Sequence, residues 1–395
     1  MLSDTANRPI TTQPQPTAWS QAILARIKPD PTRNAPIITQ ADAAPILADL
    51  DVWDMWPLAD AHGIAAPIRF PQGLGTLWFA LAAPQCTDPI DRHGLARIRL
   101  LGLVGENWID CGNALPDLFA PGSREWSGSA CLNADGVTVQ LFFTAAGTRD
   151  EPVLTVQQRL FHTKGTLDLT GLHPQISGWQ SAREIVIADD QTYLKIPAEP
   201  GLPGKIKAFR DPGFFCDPTD GKTYLVFAAS IKAAAPGYCG AIGIAVARDA
   251  TLDNWDLLPP IITAIGVTDE LERPHLVFRD NHYYLFWSTQ NQVFAPDGPS
   301  GPTGLYGMVS QKITGPYQPL NEDSLVIGNP PSEQLQAYSW WVMGDGAVIS
   351  FIDYWGLQGR ALADHPDLIR RQFGGVPAPV LHLAFDGTKA MLISP

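Results

Sequence analysis

The sequence predicts an all-β fold, a five-bladed β-propeller with a central, funnel-shaped active site. One hairpin pattern recurs five times, its turns fall 60 to 85 residues apart, and helical periodicity is scarce beyond the N-terminal segment. The 35 glycines and 36 prolines among 395 residues fit short elements joined by many turns better than a bundle of helices.

Residues 1–45 are rich in Pro, Thr, Gln and Ala and read as a partly irregular N-terminal arm with one short helix around Ala18–Ile27. Residues 46–395 read as a single propeller domain. Its first hairpin is Pro67-Ile68-Arg69-Phe70 followed by Gly75-Thr76-Leu77-Trp78-Phe79-Ala80. The others run through Asp135-Gly136 into Val137–Phe143, Asp220-Gly221 into Lys222–Phe227, Asp280-Asn281 into His282–Trp287, and Asp345-Gly346 into Ala347–Ile352. Asp-Gly and Asp-Asn supply the positive φ that a tight hairpin turn requires. Further strand pairs follow at Ala96–Trp108, Gly243–Trp255 and Gly304–Tyr317, so each unit supplies about four strands. Such units bury both faces only by stacking, and radial stacking gives blades. A β-sandwich or two small β domains would also space strands regularly.

Composition narrows the partners. Formal charge is −13, and no Lys/Arg cluster offers a grip on phosphates, which excludes nucleic acid as the expected partner. No stretch approaches the length of a membrane helix, and residues 1–9 lack the apolar core of a secretory leader, so no membrane association is expected. The five cysteines form no C-x-x-C pair, which removes the usual zinc and dithiol motifs. They read as small buried hydrophobes, with one disulfide open if the protein is exported.

What precedes each turn points to chemistry. Asp211 lies 9 residues before Asp220, Glu272 lies 8 before Asp280, Trp126 lies 9 before Asp135 and Tyr338 lies 7 before Asp345; Asp54 precedes the first hairpin at a longer distance. Equivalent strand positions from different blades meet only around a propeller axis. Carboxylates remote in sequence can therefore converge in one funnel, as glycosyl transfer requires: one ionised to attack an oxocarbenium-like centre, another protonated to serve the leaving oxygen. Each motif alone has a plainer reading. Asp-Pro often starts turns, Glu272-Arg273 could be a local ion pair, and aromatic strand residues are usually core.

The strings Val52-Trp53-Asp54-Met55-Trp56-Pro57-Leu58, Glu125-Trp126-Ser127-Gly128, Phe209-Arg210-Asp211-Pro212, Asp269-Glu270-Leu271-Glu272-Arg273-Pro274-His275 and Thr314-Gly315-Pro316-Tyr317 together resemble glycoside hydrolase family sixty-eight, in its shorter, leaderless form, over residues 45–385. That family holds levansucrases, inulosucrases and β-fructofuranosidases on a five-bladed propeller. The resemblance implies Asp54 as nucleophile, Asp211 as transition-state stabiliser and Glu272 as general acid/base. It also implies Trp53 and Trp126 as walls of the fructose pocket, Ser127 holding the nucleophile, and Arg210, Glu270 and Tyr338 completing the polar shell. Retention at the sugar predicts the Asp54 and Glu272 carboxyls about 5–5.5 Å apart. Where relatives usually carry His or Arg on the acceptor side, this chain aligns Gln290, which leads us to expect hydrolysis or short oligosaccharides rather than long levan. Asn291, Gln292 or Arg273 would be the compensating neighbours. The implied partners are sucrose and fructo-oligosaccharides, with no cofactor and no metal, the calcium of other members lying near the equivalent of Asp269. The resemblance implies an extracellular enzyme, against the cytoplasmic reading of its N-terminus. The alternatives are a mainly hydrolytic β-fructofuranosidase and, more remotely, a non-catalytic sugar-binding propeller.

Overall fold

A computed structural model describes residues 15–200, 206–233 and 237–393. Five strands, Leu50–Ala59, Arg124–Leu132, Phe209–Cys216, Glu272–Arg279 and Ala337–Val342, are the inner strands of five blades, the first two blades joining into one ten-stranded sheet. Each neighbours the next in that order and the last returns to the first, which closes a ring and rules out a sandwich. The first two inner strands even share a short parallel ladder, Leu58 to Ala130 and Ala59 to Cys131.

The chain leaves each inner strand through a hairpin, in four blades the Asp-Gly or Asp-Asn turn expected from sequence. Asp280 and Asn281 adopt φ of 49° and 61°, the conformation those residue types tolerate best. At Asp135 the side chain also accepts the Val137 and Thr138 amides at 2.9 and 2.8 Å, holding the turn open for the next strand. The first blade departs from expectation. Its inner strand Leu50–Ala59 pairs directly with Gly73–Pro84, and Pro67–Phe70 is an extra short strand paired elsewhere along Gly73–Pro84. That insertion is why Asp54 stands farther from its hairpin than the equivalent residues of other blades.

Apolar side chains fill the seams between blades, in one large cluster and two smaller ones. Ring closure between the first and last blades uses an ion pair in which Arg370 Nη1 and Nη2 reach buried Asp51 at 2.6 and 2.9 Å. The arm is fastened to the outside. Thr17–Ala18 pairs in parallel with Trp255–Ile265, the short α-helix among its described residues is Gln21–Leu24, and Arg33 reaches Asp323 at 2.8 Å. Trp19 is completely buried among Tyr306, Trp287 and Phe294, with ring centroids 5.0, 5.1 and 5.8 Å away.

Candidate active site

All five inner strands break their ladder at the same level, just after Trp53, Trp126, Arg210, Glu272 and Tyr338. Side chains along a regular strand alternate between faces, so two neighbours cannot both face the axis. A bulge removes that restriction. Here the pairs Trp53-Asp54, Trp126-Ser127, Arg210-Asp211, Glu272-Arg273 and Tyr338-Ser339 all line one cavity of about 470 Å³ at the head of the axis. Asp54, Asp211, Arg273 and Ser339 hold φ of 46°, 60°, 51° and 62°. Left-handed backbone in four non-glycine residues at one level is strain concentrated where function is expected. Pro212 and Pro274 follow two of these bulges, where no ladder amide is needed.

This geometry corrects the single-offset reading of the carboxylates. Asp54 and Asp211 occupy the bulge position itself. Glu272 lies one residue earlier, at the level of Trp53, Trp126, Arg210 and Tyr338, and the bulge of its blade belongs to Arg273.

All ten residues singled out from sequence line the cavity: Asp54, Asp211, Glu272, Trp53, Trp126, Ser127, Arg210, Glu270, Gln290 and Tyr338. Arg210 is fully engaged, its Nη2 donating to Glu272 Oε1 at 2.8 Å, with Asp211 Oδ2 at 3.6 Å and Glu270 Oε1 at 3.8 Å. The Tyr338 hydroxyl donates to Glu272 Oε2, so both Glu272 oxygens are fixed. Burial first, and then Glu272 beside it, holds the Tyr338 phenol well above its ordinary pKa, so it remains a donor. Gln290 is not free, because its Oε1 accepts Gln292 Nε2.

Ser127 is placed otherwise than expected. Its hydroxyl donates to Asp211 Oδ1 at 2.7 Å rather than to Asp54, because the second inner strand lies between the first and the third and presents its bulge to the third. Asp211 Oδ2 accepts the Arg273 amide at 3.2 Å. Burial pushes the Asp211 carboxyl up to about 6, opposed by Arg210 and by the Ser127 hydrogen bond. Asp54 is raised as well, by burial, with Arg273 and the Ser339 hydroxyl favouring its charged form. Burial and the neighbouring Glu272 push Glu270 up to about 8, and its Oε1 has no hydrogen-bond partner among the described residues.

Sequence reasoning left out Ser339, Arg92, His93 and Asp353 as members of this cavity, and gave Arg273 only as a neighbour compensating for Gln290. Arg273 is not the local ion-pair partner of Glu272. Its Nη1 donates to Ser339 O and Oγ at 2.9 and 2.8 Å and its Nη2 to Met55 O at 2.5 Å, while its guanidinium lies 5.2 Å from the Trp341 ring centroid. Its repeat of the bulge position was the signal available for it. His275, two residues on, donates from Nδ1 to Arg273 O at 2.9 Å and accepts the Val342 amide at Nε2 at 2.8 Å. Burial lowers that imidazole to about 3, so it acts as a neutral pin between the fourth and fifth blades. Asp269, outside the cavity, takes Lys207 Nζ on both oxygens at 2.8 and 2.9 Å. All five cysteines are free thiols.

Comparison with known proteins agrees with this architecture. A family model described as Levansucrase/Invertase matches residues 10–238 and 232–390. The levansucrase of Erwinia amylovora is 32% identical over 96% of this chain and 94% of its own, and that of Zymomonas mobilis subsp. mobilis 34% over 96% and 90%. Among solved structures, the inulosucrase from Halalkalicoccus jeotgali bound to kestose superposes with a TM-score of 0.86 at 34% identity, covering 96% of this chain and 95% of that one. The levansucrase from Gluconacetobacter diazotrophicus shares the fold, with a TM-score of 0.80 at 24% identity over 96% and 90% of the two chains. A ring of five four-stranded blades, paired bulge residues around one sugar-sized cavity, and similarity along nearly the whole length therefore identify the chain as a member of the levansucrase/invertase family, glycoside hydrolase family sixty-eight.

Proposed function

We propose that the chain is a retaining fructosyltransferase acting on sucrose. The observation that carries the reading is the meeting of three carboxyl side chains, from blades one, three and four, in one cavity walled by two tryptophans. Asp54 attacks the fructose anomeric carbon as Glu272 gives its proton to the glucosyl oxygen. The bond from that carbon to the glucosyl oxygen breaks, and an ester to Asp54 forms. Glucose departs, Glu272 takes a proton from an incoming hydroxyl, and the new oxygen displaces Asp54 with a second inversion. Water gives fructose; sucrose or a fructan end gives a longer saccharide.

The surroundings suit these roles. Arg210 and Tyr338 hold both Glu272 oxygens. Asp211 is oriented by Ser127 and the Arg273 amide, which favour a carboxylate able to accept from fructose hydroxyls as the oxocarbenium character grows. His93 donates from Nδ1 to Ile90 O at 2.9 Å, and burial, then Arg92, lowers it to about 3, so its ring presents a neutral, fixed edge beside Trp53.

On the acceptor side, the engaged Gln290–Gln292 amides carry no charge toward a growing chain, and we infer short products with substantial hydrolysis. Quantifying glucose and fructose released across a range of sucrose concentrations tests both statements. Transfer predicts a fructose deficit relative to glucose that grows with sucrose, and chromatography of the products should show short oligosaccharides. Equal release at all concentrations would leave a pure hydrolase, and no release from sucrose would remove the proposed function.

A further inference from the structure

One charged pair in the cavity is used by none of these steps. Arg92 comes from the short 3-10 turn Pro89–Gly94 after the second strand of the first blade, and Asp353 from the second strand of the fifth, Ala347–Tyr354. Both line the cavity.

Arg92 is 6% exposed, and its guanidinium carbon lies 4.6 Å from the Phe373 ring centroid, 5.1 Å from Trp53 and 5.9 Å from Phe351. Those rings fix the plane of the fork. Among the described residues it donates only from Nη1, to Pro89 O at 2.7 Å, and its buried Nε has no partner. A guanidinium has five N–H donors, and leaving them unmet in a buried place is costly.

Asp353 is the complementary half. Its amide donates to Gln336 O at 3.0 Å, but neither carboxyl oxygen accepts a hydrogen bond from a described residue. Arg92 and Asp353 line the same cavity yet form no ion pair within 4.0 Å, so space separates a donor fork from an acceptor carboxyl. A hydroxyl, which both donates and accepts, has the chemistry to satisfy both. Arg92 lies against the ring of Trp53, the residue before Asp54, whereas Arg210 lies 2.8 Å from Glu272 and 3.8 Å from Glu270. The pair therefore sits on the nucleophile's side, where the fructosyl unit is held throughout the proposed reaction.

We propose that Arg92 and Asp353 form a hydroxyl clamp on the fructosyl unit, a substrate-binding pair for the transfer reaction. The proposal rests on the reading of the cavity as a fructosyl site. It differs from a purely structural seam between blades one and five, because a seam needs the rings and the charge but no bound hydroxyl.

Asp353→Asn, Asp353→Glu and Arg92→Lys, assayed with sucrose and with 4-nitrophenyl β-D-fructofuranoside, test it. The two substrates share the fructosyl unit and differ in what leaves. Losing a hydrogen bond to a charged group predicts a fall in kcat/KM of about 10- to 100-fold, carried mainly by KM and equal for both substrates. Asp353→Glu keeps the charge but moves it by a methylene, so a clamp loses affinity there too, with the melting temperature held. Should Asp353→Asn fail to fold, Asp353→Glu and Arg92→Lys still decide. Kinetics within about twofold of wild type in the folded variants, full rescue by Asp353→Glu, or a loss confined to sucrose would each overturn the clamp. Failure of the wild type to turn over sucrose would instead strike the functional reading.

Discussion

Asp211 illustrates how much of this site is decided by single contacts. It is 6% exposed, and burial pushes its carboxyl up to about 6, opposed by Arg210 and then by the Ser127 hydroxyl. Removing the Ser127 hydroxyl should be felt in activity. Ser127→Ala is expected to lower kcat/KM near pH 6 by about 10-fold or more, in line with a hydrogen bond to a charged acceptor, and to move the acid limb of the pH profile upward. An unchanged acid limb would mean that Asp211 does not have to be ionised. At this scale the sequence was informative about residue types and less so about partners. Ser127 was legible as a site residue, but which acid it serves depends on which inner strand lies beside it. Arg92 and Asp353 carried no repeated offset at all, since they come from a connecting turn and a second strand.

The bulged inner strand is the element on which the site is built. Its hairpin turns were legible because Asp-Gly and Asp-Asn have few other uses between two apolar runs. The bulge was not, because a one-residue break leaves no mark in an alternating pattern, and so Glu272 was read one position out of register. Gly213 is part of the same device. A Cβ there would stand 2.4 Å from Pro274 O, so the absence of a side chain lets the third and fourth inner strands approach just where Asp211 and Glu272 meet. Gly213→Ala is expected to lose about 1–3 kcal/mol of stability and to reduce turnover, in thermal melts and initial rates respectively. Gly221 offers the control. It has φ of +69° but nothing within 4 Å of an added Cβ, so Gly221→Ala should cost about 1 kcal/mol or somewhat more and leave the kinetics unchanged. Equal effects on turnover at the two glycines would separate the bulge from the chemistry.

Closing five blades around acidic side chains leaves the whole molecule with a pH-dependent stability. Burial, then Glu272, pushes Glu270 from 4.5 up to about 8, so the folded state holds a proton there that the unfolded chain has released. Between those values the native state binds more protons, and stability falls as pH rises. Asp211 and Asp353, each raised by burial to about 6, act in the same direction below that pH. His93, His162 and His275, lowered by burial from 6.5 to about 3, act the opposite way below 6.5 and offset them. From pH 6.5 to 8 Glu270 has no histidine opposing it. The melting temperature should therefore decline over that interval, by an amount on the order of 2 kcal/mol of stability, and Glu270→Gln should flatten the decline. A profile that rises with pH, or one that Glu270→Gln leaves unaltered, would place the buried proton elsewhere.

The ring also explains why carboxyls 218 residues apart, Asp54 and Glu272, come to line one cavity, as the proposed double displacement requires. Mass spectrometry of peptides from enzyme quenched in acid during turnover of sucrose tests that most directly. A fructosyl unit attached to the peptide bearing Asp54, absent after Asp54→Asn together with glucose release, is the predicted result. Label on another residue, or glucose release that survives Asp54→Asn, would contradict the double displacement.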